Sequence, residues 1–172
     1  MVFQSHTEAE LDEAIARALL YEPRTAAWFL TRTLFASEVA SCVFCRCDNP
    51  WGTVQLEVQN ASTGAVETLV SQCETDVLAV FATQDGRRIA LHIENKLAGG
   101  SFTPHQPELY RARKSQWRNR DNFGAYTDAT TVLIAPIEFY ERFRERATVF
   151  DSYISHEDIA EYVPEFGAVP AR

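Results

Sequence analysis

Between Glu74 and Tyr110 two runs rich in β-branched, aromatic and aliphatic residues, 76–83 and 88–95, flank Gln84-Asp85-Gly86-Arg87. Runs of that kind around an Asp-Gly turn specify a β-hairpin, and the length of its loop settles which side chains share a face. A two-residue Asp85-Gly86 loop pairs 84 with 87 and sets Asp76 opposite Asn95, turning Glu94 and Lys96 to the other side of the sheet. A three-residue loop, Gln84-Asp85-Gly86, pairs 83 with 87 and sets Asp76 opposite Glu94. That second loop is a type I turn closed by a residue at positive φ, which glycine accepts without steric cost. In this register two carboxylates lie roughly 5 Å apart at Cβ, with Lys96 one step further along the same face.

Acids so close in an apolar setting repel, and one takes up a proton unless a cation lies between them. A hard divalent ion that keeps several waters removes the conflict, and Mg²⁺ suits oxygen ligands of this kind, with Mn²⁺ as its substitute. Lys96 is then placed to orient or help deprotonate an attacking water, or to stabilise charge developing on phosphorus. The chemistry therefore requires the three-residue loop. Glu-x-Lys by itself is a common accident of an exposed strand end; the residues around it carry the argument.

An Asp at the head of one apolar strand, Ile-Glu-Asn-Lys (93–96) closing the next and Gln106-x-x-x-Tyr110 opening a helix together resemble the PD-(D/E)XK nuclease superfamily. The last motif is similar to that of its RecB-type branch. About 37 residues carry the resemblance, and Thr75 stands where the name-giving proline would be. The resemblance implies a restriction-endonuclease-like fold, α/β in class, with a mixed central sheet flanked by helices. It makes Asp76 and Glu94 metal ligands, with the main-chain carbonyl of Asn95 as a further one. It also makes Lys96 the catalytic lysine and Gln106 and Tyr110 substrate- or site-orienting residues. Members often add an acid from a helix ahead of the core sheet, and Glu38, spaced by four from Leu34 and Cys42, is the candidate. Gln106 also suits a helix cap, because Pro107 fits a first turn, and Tyr110 also suits simple packing.

The chain's 172 residues are one domain's worth. A single nuclease-like domain, 1–172, is expected, with N-terminal helices (1–50), a catalytic core (51–135) and C-terminal helices with a strand (136–172). Thr7 and Glu10 form a capping box for a helix over 7–20 whose stripe is Leu11, Ile15, Ala18 and Leu19. A second helix is expected from Thr25 to Cys45. Strands follow at 53–59 and 131–135, with extended chain over 66–73, a helix from Pro136 to about Arg146, a strand over 149–154 and a helix capped by Ser155. Ala98-Gly99-Gly100 reads as a flexible connection.

A net charge of −8 opposes simple coating of nucleic acid. Residues 111–120 depart from it, since Arg111, Arg113, Lys114, Arg118 and Arg120 occur there without an acid. They are expected to hold a phosphate backbone. Trp117 among them suits either base stacking or a core anchor, with the core the stronger expectation. Cys42, Cys45, Cys47 and Cys73 offer a zinc or iron–sulfur site as an outside alternative and free thiols as the main expectation. His92 shares the acidic face in the bulged register and His105 adjoins Gln106; packing or solvation is the expected role of each. Neither a membrane-length apolar run nor a secretory signal is evident, so a cytoplasmic location is expected.

The functional expectation is a Mg²⁺-dependent nuclease acting on nucleic acid, DNA before RNA. A single chain presents one site, so cutting both strands together would need a homodimer. The alternative is a catalytically silent nucleic-acid-binding or protein-interaction module on the same fold.

Overall fold

Thr7 and Glu10 form the expected capping box. The Thr7 side chain accepts from the Glu10 N–H at 3.3 Å, while the Glu10 carboxylate accepts from the Thr7 N–H at 2.8 Å. They start α1, Glu8–Tyr21, in a computed structural model that describes residues 6–167. α1 buries Leu11, Ile15, Ala18 and Leu19, and Asp12 among them. α2 spans Pro23–Thr31, with its proline in the first turn.

The helix expected over Thr25–Cys45 ends at Thr31. Residues 40–46 form instead β1, Ala40–Arg46, an edge strand antiparallel to β4, Val77–Thr83. Its Val43 and Phe44 are strand formers, and a vacant edge of β4 to pair with outweighs their helical spacing. The 1–50 segment therefore contributes a strand to the sheet as well as helices.

β4 turns into β5, Arg88–Asn95, through the three-residue loop. Thr83 donates its N–H to the Arg87 carbonyl at 2.9 Å, Gly86 donates to the Thr83 carbonyl at 3.0 Å, and Gly86 has φ +85°. Val77 pairs with Ile93 and Phe81 with Ile89, so extension by one residue sets Asp76 against Glu94. The register that the chemistry requires is the one observed.

The main sheet runs β1-β4-β5-β6-β7, with β6 at Asp128–Ala135 and β7 at Ser152–Ser155. β1, β4 and β5 are antiparallel, and β5, β6 and β7 parallel, giving a mixed sheet flanked by helices. Between β5 and β6 the chain crosses over through α3, Gln106–Gln116. The helix expected over 136–146 is broken at Phe143 into α4, Ile137–Arg142, and α5, Arg144–Ala147; α6, His156–Ile159, follows β7 with Ser155 as its cap. β2, Trp51–Gln59, and β3, Val66–Glu74, form a separate hairpin.

Alternation along β4 and β5 decides the layers. Val77, Ala79, Phe81, Leu91 and Ile93 meet Ile15, Leu19 and Phe29 of the N-terminal helices. Leu78, Val80 and Ala90 meet Leu109 and Trp117 at α3, together with Val54 of β2. Each fully buried valine, leucine, isoleucine or phenylalanine among them contributes roughly 1.5–3 kcal/mol. Covered on both faces, the pair forms a rigid platform for what lies at its ends.

Candidate active site

Where β4 begins and β5 ends, polar groups gather that the apolar layers leave uncovered. Glu94, on the α3 face, is 1% exposed, and its Oε1 accepts from Lys96 Nζ at 2.5 Å and from Gln106 Nε2 at 2.7 Å. Gln106 also accepts the Thr103 N–H through its own Oε1 at 3.0 Å. It occupies the first position of α3, so it carries no cap of its own; His105 is the cap residue, in left-handed conformation and exposed. Tyr110, one turn on and buried, donates its hydroxyl to the Ile93 carbonyl at 3.3 Å and accepts the Asp76 N–H at 3.2 Å. The four-residue spacing thus lets α3 hold both acids, Glu94 by a side chain and Asp76 through its backbone.

Asp76 Oδ2 accepts the Asn95 N–H at 2.8 Å. The Lys96 N–H serves Ile134 of β6, and alternation turns the N–H and carbonyl of Asn95 the other way, toward the Asp76 side of β5. The Asn95 side chain emerges on the opposite face, where its Nδ2 donates to Asp12 Oδ1 at 3.0 Å. Asp12 is buried on α1, and Glu8, one turn earlier, accepts the Leu97 N–H at 3.2 Å.

The electrostatics follow from burial of like charges. Burial pushes the Asp12 carboxyl up to about 7, with Glu94 and Glu8 adding to the rise against the Asn95 hydrogen bond. Burial, then Glu94 and Asp12, hold Asp76 well above the usual carboxylate range. Burial raises Glu94 despite the nearby Lys96. Burial alone would lower Lys96, but the Glu94 carboxylate outweighs it and keeps the ammonium charged. Glu94 Oε2 and Asn95 Oδ1 are buried without a hydrogen-bond partner among the described residues. Such orphans are costly. Among the described residues no three His, Cys, Asp or Glu side chains form a ligand group by themselves.

Several expected participants lie elsewhere. Glu38 precedes β1 and pairs with Arg87 at 2.9 Å beside the hairpin loop. It is the seven residues of β4 away from Asp76, roughly 20 Å at about 3.3 Å per residue. The expected helix stops at Thr31, Glu38 lies in the connection before β1, and the acid that a helix brings near Asp76 and Glu94 is Asp12. Its signal was present: Asp12 falls on the same stripe as Ile15 and Leu19, where a carboxylate needs a reason.

The basic segment also reads differently. Arg113 is wholly buried, donating Nη1 to the Glu74 carbonyl and stacking 3.7 Å from the Tyr110 ring centroid. Lys114 pairs with Asp151 at 2.6 Å, and Arg118 with Asp128 at 3.4 Å. Arg111 and Arg120 are exposed and form no ion pair among the described residues. Trp117 is core, stacked 3.8 Å on Phe123. His92 is buried against the Tyr126 hydroxyl at 2.9 Å, and burial keeps it neutral.

The four thiols do not converge on one point, although Cys42 and Cys45 are neighbours. Cys42, Cys45 and Cys47 pack on the α1 side, Cys73 packs on the α3 side, and all are free. The loop after Lys96 is pinned: Arg142 donates to the Ala98 and Gly100 carbonyls at 2.7 Å each, and Arg146 to the Thr103 carbonyl at 2.6 Å. Among the described residues no helix is long and apolar enough to cross a membrane.

No family model, no curated protein and no solved structure matches this chain.

Proposed function

We propose that this chain is a Mg²⁺-dependent phosphodiester hydrolase acting on DNA, on a restriction-endonuclease-like fold of the PD-(D/E)XK kind. One observation carries the reading. Three carboxylates with raised proton affinity, Asp12, Asp76 and Glu94, crowd one end of the β4–β5 pair beside a single lysine.

The residues present fit a hard divalent ion. Asp76, Glu94 through its unpartnered Oε2, and the Asn95 main-chain carbonyl are all oxygen donors. Mg²⁺ keeps most of its waters and takes only one or two protein carboxylates, so a three-acid cage is not a requirement. When bound, the ion supplies Lewis-acid polarisation of a phosphoryl oxygen and a more acidic water. The protein's own part is positional. Gln106 and Lys96 fix Glu94, and Tyr110 and the Asn95 N–H fix Asp76, so that α3 and the end of β5 hold both acids. Lys96, beside Glu94, is placed to donate toward developing negative charge.

A second reading, a catalytically silent binding module, draws on the ion pair itself. Lys96 and Gln106 already satisfy Glu94 Oε1, so part of the site is at rest without further partners. The two readings separate in one experiment. Incubation with plasmid and single-stranded DNA and Mg²⁺ or Mn²⁺ is expected to give cleavage that EDTA stops. Asp76→Ala and Lys96→Ala are each expected to lower it about 100-fold or more. Absence of cleavage together with absence of Mn²⁺ binding by calorimetry in the parent protein selects the silent module.

A further inference from the structure

A cleft of about 430 Å³ adjoins the candidate site, between the β2–β3 hairpin and the start of α3. Gln106 belongs to both, lining the cleft and donating to Glu94. One wall carries Trp51, Ser71 and Gln72, and the other Thr103 and Pro104. Glu74, the carboxylate on the lining, stands exposed at its rim.

The walls are held in place. The Gln116 side chain accepts the Gln55 N–H at 2.9 Å and donates to the Gln55 carbonyl at 2.7 Å, acting as a short substitute strand along β2. Gly52 lies so close to the indole of Trp117 that a Cβ there would come within 3.0 Å of the ring. Val54 is buried under the same helix. The hairpin is therefore seated on α3.

Two features of the lining point to a ligand, and they are independent. Trp51 is 67% exposed, a large aromatic face turned to solvent on one wall. Arg113, which also lines the cleft, is fully buried, and its Nε and Nη2 have no hydrogen-bond partner among the described residues. A buried guanidinium without a carboxylate partner biases its surroundings toward an anion. Size limits what that anion belongs to. The volume is near the lower end for small-ligand sites; it admits one nucleotide and is far too small for a duplex. The cations of residues 111–120 do not form a continuous stripe that could track a duplex backbone, since Arg113 is buried, Lys114 and Arg118 are paired, and Arg111 and Arg120 stand apart.

We infer that the cleft receives one unpaired nucleotide stacked on Trp51, so that single-stranded DNA is the form of substrate taken by the nuclease proposed above, on which this inference rests. Neutral donors and acceptors at Ser71, Gln72 and Thr103 suit the edges of a base without selecting strongly among bases. The phosphate side is drawn toward Arg113 and leads past Gln106 to Glu94.

The test is anisotropy of a labelled single-stranded oligothymidylate and of a blunt duplex of equal length. It uses the full chain, with Ca²⁺ in place of Mg²⁺ so that the strand is not consumed. The single strand is expected to bind at least tenfold more tightly and to quench tryptophan emission. Trp51→Ala is expected to weaken single-strand binding about tenfold, the effect of losing one base–aromatic stack, and Trp51→Phe to restore most of it. Trp51 is on the surface, so both variants are expected to melt with the parent. Duplex binding as tight as single-strand binding, or an unchanged affinity in Trp51→Ala, overturns the inference. If Asp76-dependent cleavage survives either of those results, the nuclease reading stands and the cleft assignment alone falls. Absence of both binding and cleavage removes the two together.

Discussion

The two ends of the β4–β5 hairpin carry the same kinds of side chain and opposite electrostatics. At the loop end Arg87 joins Asp85 at 2.7 Å and Glu38 at 2.9 Å in solvent, and hydrogen bonds from Thr83 and Arg87 hold the Asp85 carboxyl down at about 2. At the other end one lysine pairs with Glu94 near Asp76, Asp12 lies across the sheet, and burial raises all three acids. At the loop end Asp85, Arg87 and Glu38 satisfy one another within reach of solvent. The far end concentrates unsatisfied negative charge where water is scarce. A fold tolerates such an end at a cost to stability, and the cost is the reason to look for chemistry there.

The sharpest way to break the contrast is Lys96→Met. It leaves Glu94 buried beside Asp76 without its cation, and a loss of about 3 kcal/mol is expected in urea unfolding at pH 8. Millimolar Mg²⁺ is expected to return part of that loss through binding to the folded state. A variant as stable as the parent at pH 8 would show that the Glu94–Lys96 pair carries no strain.

Proton linkage gives the next effect, and its sign differs between the ends. Asp12 binds its proton more tightly folded, at about 7, than at its ordinary 3.8. The stability it contributes is therefore present below about pH 4 and is lost as pH rises through 7. Asp76 and Glu94 shift in the same direction, within reach of Glu8 and Lys96. Asp85 runs the other way: its contribution is present above pH 4 and is lost as pH falls through about 2. The melting temperature is thus expected to fall between pH 5 and pH 8. Asp12→Asn, which keeps a polar partner for Asn95, is expected to flatten that slope and to add on the order of 2 kcal/mol at pH 8. A steeper slope in the variant would refute the assignment.

The smallest effect belongs to the loop end. Glu38→Gln removes one exposed partner of Arg87 and is expected to change stability by less than about 1 kcal/mol, with no change in cleavage. A large loss of cleavage in this variant would mean that the two ends are coupled in a way the sheet does not show.

How much of this was legible depends on the range of the interactions involved. Local sequence narrowed the hairpin to two registers, and the observed three-residue loop is the one that sets Asp76 against Glu94. Gln106 and Tyr110 were likewise readable, because a spacing of four puts them on one face of α3. Glu38 and the basic segment were not. Whether residues 40–46 coil or extend depends on β4 having an open edge. Whether Arg113 points at solvent or at Glu74 depends on how α3 is rotated against β2 and β3. Asp12 was visible as a carboxylate on an apolar stripe, but its partner, Asn95, is 83 residues away.

By itself the order of residues determined the elements whose signals lie within a few positions of one another: the capped first helix, the hairpin about Asp85-Gly86 in one of two registers, and the shared helix face of Gln106 and Tyr110. Tertiary packing alone decided which helix brings the additional acid, which cations are consumed inside and where a cleft opens beside Gln106. The physical reason is that turn geometry and side-chain alternation are properties of the chain, whereas burial of a charge is a property of everything that packs around it.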